Sequence, residues 1–358
     1  MKLQLPGFDK SSLVGLDIGS SAVKAVEIGM KARDKSFELK GLGVAPLQNE
    51  AIVQGAFLNQ SAIVDGIREA VEIGRIKTKE VAVAVSGHSV IVKKVSLPAM
   101  TRDELEDQIQ WEAEQYIPFD VNEVHLDFQI LDTSEGEGQM DVLLVAAKRD
   151  LVDDYVQVIS EAGLVPAVVD VAAFAVENAF ENNYDCEPDE VVGLVNIGAQ
   201  VVNINVVQNG IPVFTRDITT GGNQFTEEIQ KSLSITFEEA ERIKLGGSSE
   251  QDQEVVPQEV EQAMRSVTDT VLGEISRSLD FYAATSAENR IGRVLLAGGG
   301  ANIPGLDSAF RDRSGFEVEL MNPLSRMLPS KGFDPEYLET VASSLSVGIG
   351  LATRRVDI

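Results

Sequence analysis

The chain has 358 residues, 57 acidic against 30 basic, and a net charge of −27; it is long enough for two or more domains with full cores, and its acidity argues against binding nucleic acid or anionic lipid unaided. Hydrophobic residues make up 44% and charged residues 24%, globular proportions that argue against wholesale disorder. The single cysteine, Cys186, closes no internal disulfide, no run reaches the roughly 18 apolar residues of a membrane span, and residues 1–10 lack a signal-peptide core, so an intracellular, non-spanning protein is expected.

Residues 13–27 read as strand, glycine turn and strand, with Asp17-Ile18-Gly19-Ser20-Ser21 at the turn. Residues 37–44 continue the sheet. Ile63, Ile67, Ala70 and Val71 recur at helical spacing over 61–73, and 81–85 form a short apolar run that reads as a buried strand.

From about Gly87 the texture changes. A strand over 89–97 ends at Pro98. Thr101 and Glu104 form a capping-box pattern, with Met100 placed for a hydrophobic staple. Leu105, Ile109, Ala113, Tyr116 and Ile117 share one helical face that Pro118 ends. Strands are expected over 124–132 and 140–148, joined by a loose hairpin over 133–139. A helix over 150–162 ends at Gly163, in the place of a C-terminal cap. This β-α-β-β-α order reads as an inserted subdomain.

A helix is expected over 172–180 and a boundary in the acidic stretch 181–190. The opening pattern then returns as strand (191–195), Asn196-Ile197-Gly198-Ala199-Gln200, and strand (201–207). This internal repeat predicts two similar lobes. A third strand over 213–216, Gly221-Gly222, and helices over 224–233, 236–244 and 259–283 follow, with a polar, mobile stretch expected over 246–258. A strand over 293–297 runs into Gly298-Gly299-Gly300. A helix from 304 to 311, a strand over 317–320 and a final helix over 339–352 complete the reading.

Three glycine turns carry the chemistry. Around Gly19, backbone N–H groups approach phosphate oxygens without a Cβ in the way. Ser20 and Ser21 add hydroxyls, Asp17 suits water-mediated Mg²⁺, and Lys24 faces phosphate or solvent; an ordinary β-turn is the plain alternative. The second turn repeats the device with Asn196, an uncharged residue that also suits a turn cap. The third, Gly298 to Asn302, permits flat contact with a base or ribose. Glu241 and Lys244 lie one helical turn apart, which a surface ion pair explains. Two histidines, His88 and His125, and one cysteine make no metal cluster, and neither a Gly-x-Ser-x-Gly elbow nor a Gly-Lys-Ser/Thr phosphate loop is present. Trp111 reads as a packing residue.

Taken in order, these pieces resemble the actin-like ATPase superfamily, with a first phosphate segment at 15–27, a second at 193–207 and an adenosine loop at 294–302. The inserted unit resembles the 1C subdomain of the division protein FtsA rather than the 1B subdomain of actin. Within that branch the chain resembles the PilM family of the type IV pilus machine, through Val14 to Lys24, Trp111-Glu112-Ala113-Glu114-Gln115-Tyr116-Ile117-Pro118-Phe119, and Asp217 to Gly222. The resemblance spans nearly the whole chain.

It implies an α/β, ribonuclease H-like, duplicated two-lobe actin-like fold with an FtsA-type 1C insertion. The implied divisions are 1–86 with 164–190 (1A), 87–163 (1C), 191–232 with 291–358 (2A), and 233–290 (2B). It implies ATP or ADP with Mg²⁺ between the lobes. Asp17, Gly19, Ser20, Ser21 and Lys24 match the first phosphate site, with Asp17 toward the metal; Asn196, Gly198 and Ala199 match the second. Gly222, Glu241 and Lys244 match ribose and base contacts, and Gly298, Gly299 and Asn302 the adenosine loop. Asn196 stands where active ATPases of this superfamily carry aspartate, so hydrolysis is expected to be slow or absent.

The implied role is a cytoplasmic scaffold recruited to the inner membrane through partners. Its implied ligand is the cytoplasmic N-terminal tail of PilN, between the first lobe and the insertion; self-association stays open. The alternatives are an FtsA-like division filament, which the short polar ending 352–358 disfavours, and a kinase, which needs a carboxylate base. Asp170 is the one obvious loop carboxylate between the repeats, and it reads as a helix N-cap.

Overall fold

A computed structural model describes residues 13–30, 36–133, 138–246, 258–286, 290–329 and 332–355. The expectations for residues 1–10, most of the 133–139 hairpin, the polar stretch after Gly246 and the last three residues lie outside the described residues. The chain divides into two compact units, Met1–Ala84 with Tyr155–Asp185 and Met321–Ile358, and Val85–Asp154 with Cys186–Leu320.

The first unit opens with β1 (Val14–Ile18), β2 (Ala22–Met30) and β3 (Phe37–Pro46), an antiparallel meander. A small hairpin, β4 (Ile52–Val53) and β5 (Ala56–Phe57), precedes α1 (Gln60–Ile73). The Asn59 side chain accepts the Ala62 N–H and starts that helix, satisfying one of its orphan donors. Its buried face is Ile63, Val64, Ile67 and Ala70, and it carries the chain over to β6 (Glu80–Val85), parallel to β1, since a parallel partner needs a crossover.

The insertion comprises β7 (Val90–Pro98), α2 (Arg102–Ala113), β8 (Val124–Thr133) and β9 (Gln139–Lys148), with strand order β7-β9-β8. Thr101 and Glu104 form the expected capping box. Leu105, Ile109 and Ala113 of α2 join Val95, Val142 and Leu144 in one core, and Ile117 stays in it although the helix ends four residues earlier. Trp111, expected to pack, is 68% exposed; its neighbours Leu105, Ile109 and Ala113 already fill the buried face.

The chain continues through α3 (Arg149–Glu161), β10 (Val165–Val171) and α4 (Ala172–Asn183). The second unit resumes with β11 (Val191–Ile197), β12 (Val202–Gln208) and β13 (Ile211–Ile218), then α5 (Gly222–Leu233), α6 (Phe237–Lys244), α7 (Gln258–Thr285), β14 (Ile291–Ala297), α8 (Leu306–Ser314) and β15 (Glu317–Leu320). Residues beyond Met321 add β16 (Leu328–Pro329), α9 (Pro335–Val341) and α10 (Ser346–Ala352) to the first unit.

The repeat is visible in the strand orders. The first sheet runs β10-β6-β1-β2-β3-β16 and the second β15-β14-β11-β12-β13, the same five-strand arrangement twice, with one added edge strand. The expected final helix over 339–352 is two helices separated by a 3-10 turn over Ala342–Leu345. α10 packs against β1 and α4 because its glycines let backbones touch: a Cβ on Gly350 would lie 1.7 Å from the Ala175 carbonyl oxygen. This packing, with the pairing of β16 to β3, is why the C-terminal residues group with the first unit, whereas the sequence division ran the second lobe to 358.

Candidate functional site

In the first unit the β1–β2 register sets Asp17 opposite Lys24. Lys24 Nζ lies 2.9 Å from Asp17 Oδ2, with both side chains largely shielded at 14% and 17% exposure. The Gly19 N–H donates to the Ala22 carbonyl at 3.1 Å and closes the turn, while the Ser21 carbonyl accepts the Leu47 N–H at 2.9 Å. Ser21 is exposed and Ser20 partly so. Asp17, Gly19, Ser20, Ser21 and Lys24 thus form one cluster.

Tyr155 of α3, absent from the sequence reading, is buried with its ring 4.7 Å from that of Phe57. Burial pushes its phenol well up, and the negative charge of Asp17 adds to the shift. The available signal was an aromatic residue on an otherwise acidic helix, too weak to separate from ordinary core packing.

In the second unit, Asn196 stands opposite Asn203 and donates its side-chain amide to Asn203 Oδ1 at 2.8 Å. Asn203 in turn donates to Asp217 Oδ1 at 2.8 Å, and the Gly87 N–H donates to Asp217 Oδ2 at 2.5 Å. Burial raises the Asp217 carboxyl above its ordinary value, against the pull of these two donors.

The Asn196 turn is clamped from α5. Gly198 N–H donates to the Val201 carbonyl at 2.9 Å, Gly222 N–H to the Gly198 carbonyl at 2.9 Å, and Asn223 N–H to the Ala199 carbonyl at 2.8 Å. From the other side comes Gly298, at φ 86°. A Cβ there would lie 2.7 Å from Asn196 Oδ1 and 2.4 Å from the Ile197 carbonyl oxygen, so only glycine fits. Gly299 begins a 3-10 turn through Asn302, and both residues are exposed.

Lys244 is 6% exposed, so the Glu241–Lys244 pair is not the surface contact its spacing suggests. Its ammonium reaches Gly222 O at 3.3 Å, Thr226 Oγ1 at 3.0 Å and Glu241 Oε2 at 2.6 Å, and the Thr226 hydroxyl donates to Glu241 at 2.5 Å. Burial lowers the Lys244 pKa and Glu241 opposes that. The second unit therefore brings Asn196, Gly198, Ala199, Gly222, Glu241, Lys244 and Gly298 into one connected cluster.

Among the described residues no group of three or more His, Cys, Asp or Glu side chains is placed to hold a metal. A divalent ion at Asp17 would take its remaining ligands from phosphate and water, as Mg²⁺ commonly does. Asp170 is not the cap of α4, whose N-cap is Val171 and carries no side-chain cap bond. Its carboxylate takes Arg354 Nε at 2.6 Å and its neighbour's N–H at 2.8 Å.

The family model of the type IV pilus assembly protein PilM matches residues 15–356. The solved PilM-PilN type IV pilus biogenesis complex matches at a TM-score of 0.86 and 30% identity, covering 98% of this chain and 100% of that one. MreB 5 of Spiroplasma citri bound to AMPPNP matches at a TM-score of 0.52 and 14% identity, over 96% and 95% of the two chains. The cell division protein FtsA of Bacillus subtilis is 23% identical over 353 residues, 87% of this chain and 78% of that protein. The fold is actin-like, with mixed α/β sheets in two lobes.

Proposed function

The chain belongs to the PilM family of type IV pilus assembly proteins, and from that premise we propose that it is a nucleotide-binding cytoplasmic scaffold that captures the N-terminal cytoplasmic tail of PilN. The observation that carries this reading is the match, over nearly the full length of both chains, to a PilM-PilN complex. Among the described residues no helix is long and apolar enough to cross a membrane. In this reading the tail of a membrane-anchored partner supplies attachment to the inner membrane.

The proposed nucleotide is ATP or ADP with Mg²⁺. The first-unit turn, Asp17 to Lys24, would meet phosphate and metal; the second-unit cluster around Asn196, Gly222, Lys244 and Gly298 would meet phosphate, ribose and base. Turnover is proposed to be slow or absent because the second turn offers an amide where a water-orienting carboxylate would stand. The kinase alternative is the weaker reading, since its one obvious loop carboxylate, Asp170, is paired with Arg354. The 1A, 1C, 2A and 2B division is retained as a proposal, with residues from Met321 assigned to the first lobe.

Co-expression tests the role directly. The chain should move to the membrane fraction when full-length PilN is present and return to the soluble fraction when the PilN tail is deleted. Membrane association indifferent to the tail would overturn the reading.

A further inference from the structure

One concave site in this acidic chain is lined by cations. A cavity of about 430 Å³ opens in the first unit, where the last turns of α1, the loop to β6 and the turn from α3 to β10 meet. Ile67, Ile76 and Leu164 give it an apolar floor. Arg68, Arg75, Lys77 and Lys79 stand around that floor, with Glu72 the one acid among its lining residues. Arg68 is engaged, donating to the Glu161 carbonyl at 2.6 Å. Arg75, Lys77 and Lys79 are exposed and make no ion pair among the described residues. Val165, next to the cavity, is 52% exposed and joins the sheet edge through its N–H to the Lys79 carbonyl at 2.8 Å. Converging like charges over an apolar floor ask for an apolar body flanked by carboxylates.

The same chain displays such a body. Trp111 is 68% exposed on α2, where Asp107 and Glu114, at i−4 and i+3, share its face and are exposed themselves. Tryptophan over arginine or lysine gains a cation–π contact, and buried tryptophan is among the commonest interface anchors. We propose that this cavity is a self-assembly site that receives Trp111 of a second copy of the chain, with Asp107 and Glu114 of that copy facing Arg75, Lys77 and Lys79. The two patches differ, so the contact is head-to-tail and adds further copies as a filament or ring. The inference does not depend on nucleotide or PilN. An anionic bilayer is the weaker occupant, because the net charge of −27 repels it at longer range.

Sedimentation velocity and light scattering on the full chain test it. Mass should rise with concentration and fall back with added salt. Trp111→Ala should weaken assembly at least about tenfold, as should Lys77→Glu with Lys79→Glu. Asp107→Lys with Glu114→Lys should also be assembly-deficient alone, yet a mixture of the two charge-reversed proteins should assemble again, since each then offers the other a complementary pair. Circular dichroism should show every variant folded, because the substituted positions are exposed. A chain that stays monomeric to about 100 µM, assembly indifferent to these substitutions, or a mixture that fails to recover would overturn the proposal. So would a Lys77→Glu/Lys79→Glu protein that loses only binding to anionic vesicles or to PilN tail peptide.

Discussion

Asn203 donates its side-chain amide to Asp217 at 2.8 Å, and the direction of that one hydrogen bond sets the direction of the chain around it. Asn196 must donate to Asn203, and Asp217 has its second oxygen left for the Gly87 N–H. The buried carboxyl therefore sits at 217, where it holds the entry to the insertion, and not at 196.

This direction makes a double-mutant prediction. Asn196→Asp alone sets a carboxylate against Asn203 Oδ1; turning the Asn203 amide to meet it would point its carbonyl at Asp217. We expect a loss of about 2–4 kcal/mol, with a rise in ATP hydrolysis by the protein that stays folded, since the missing carboxylate is restored. Adding Asp217→Asn reverses both side-chain bonds and still leaves an oxygen for the Gly87 N–H, and should recover at least half of that loss in urea unfolding. Losses that simply add would show that the chain is not cooperative.

Asp17→Ala removes the proposed metal-facing carboxylate and leaves Lys24 without its 2.9 Å partner. Affinity for ATP with Mg²⁺ should fall at least about tenfold, and stability should fall by about 1–3 kcal/mol with the fold retained, because the shielded Lys24 ammonium loses its partner. Calorimetry beside a melting curve separates the two effects. Unchanged affinity would remove Asp17 from the site.

Gly350→Ala forces a methyl onto the Ala175 carbonyl oxygen, a backbone contact without a flexible side chain to give way. Overpacking of this kind costs about 1–3 kcal/mol or more, so a clear drop in melting temperature is expected. An unaltered melting temperature would mean that α10 and α4 do not meet as described.

Acid should loosen the start of α2. The Thr101 N–H and hydroxyl hold the Glu104 carboxyl below its ordinary value of 4.5. A carboxyl lowered in the folded state contributes stability above its unfolded value and loses it as pH falls through the lower folded one. The gap in melting temperature between the unaltered protein and Glu104→Ala should therefore be full near neutral pH and close below the ordinary carboxylate range. A gap constant down to pH of about 3 would contradict this sign.

What was legible in the sequence was local or repeated. The two turns at Gly19 and Gly198 carried their own composition, and Thr101 with Glu104 announced a helix start. The strand Val165–Val171 escaped because Pro166 interrupts it without alternation, a pattern tolerated on a sheet edge, where it lies. The break in the final helix escaped because the small residues around Ser343 read as continuous helix, and only packing by Gly350 explains them. Asp217 entered only as the start of the Asp217 to Gly222 resemblance; its burial and bonding gave no signal, since its partner Gly87 lies 130 positions away. The burial of Lys244 was equally silent: spacing finds Glu241 but not Thr226 or the Gly222 carbonyl.

Calorimetric titration of the full chain with a synthetic peptide of the PilN cytoplasmic tail, with and without ATP and Mg²⁺, is the most direct measurement of the proposed role. Saturable binding of one peptide per chain, with a Kd of about 10 µM or tighter, is the expected result. No heat and no change in peptide fluorescence anisotropy at high micromolar peptide would contradict the scaffold role at its root.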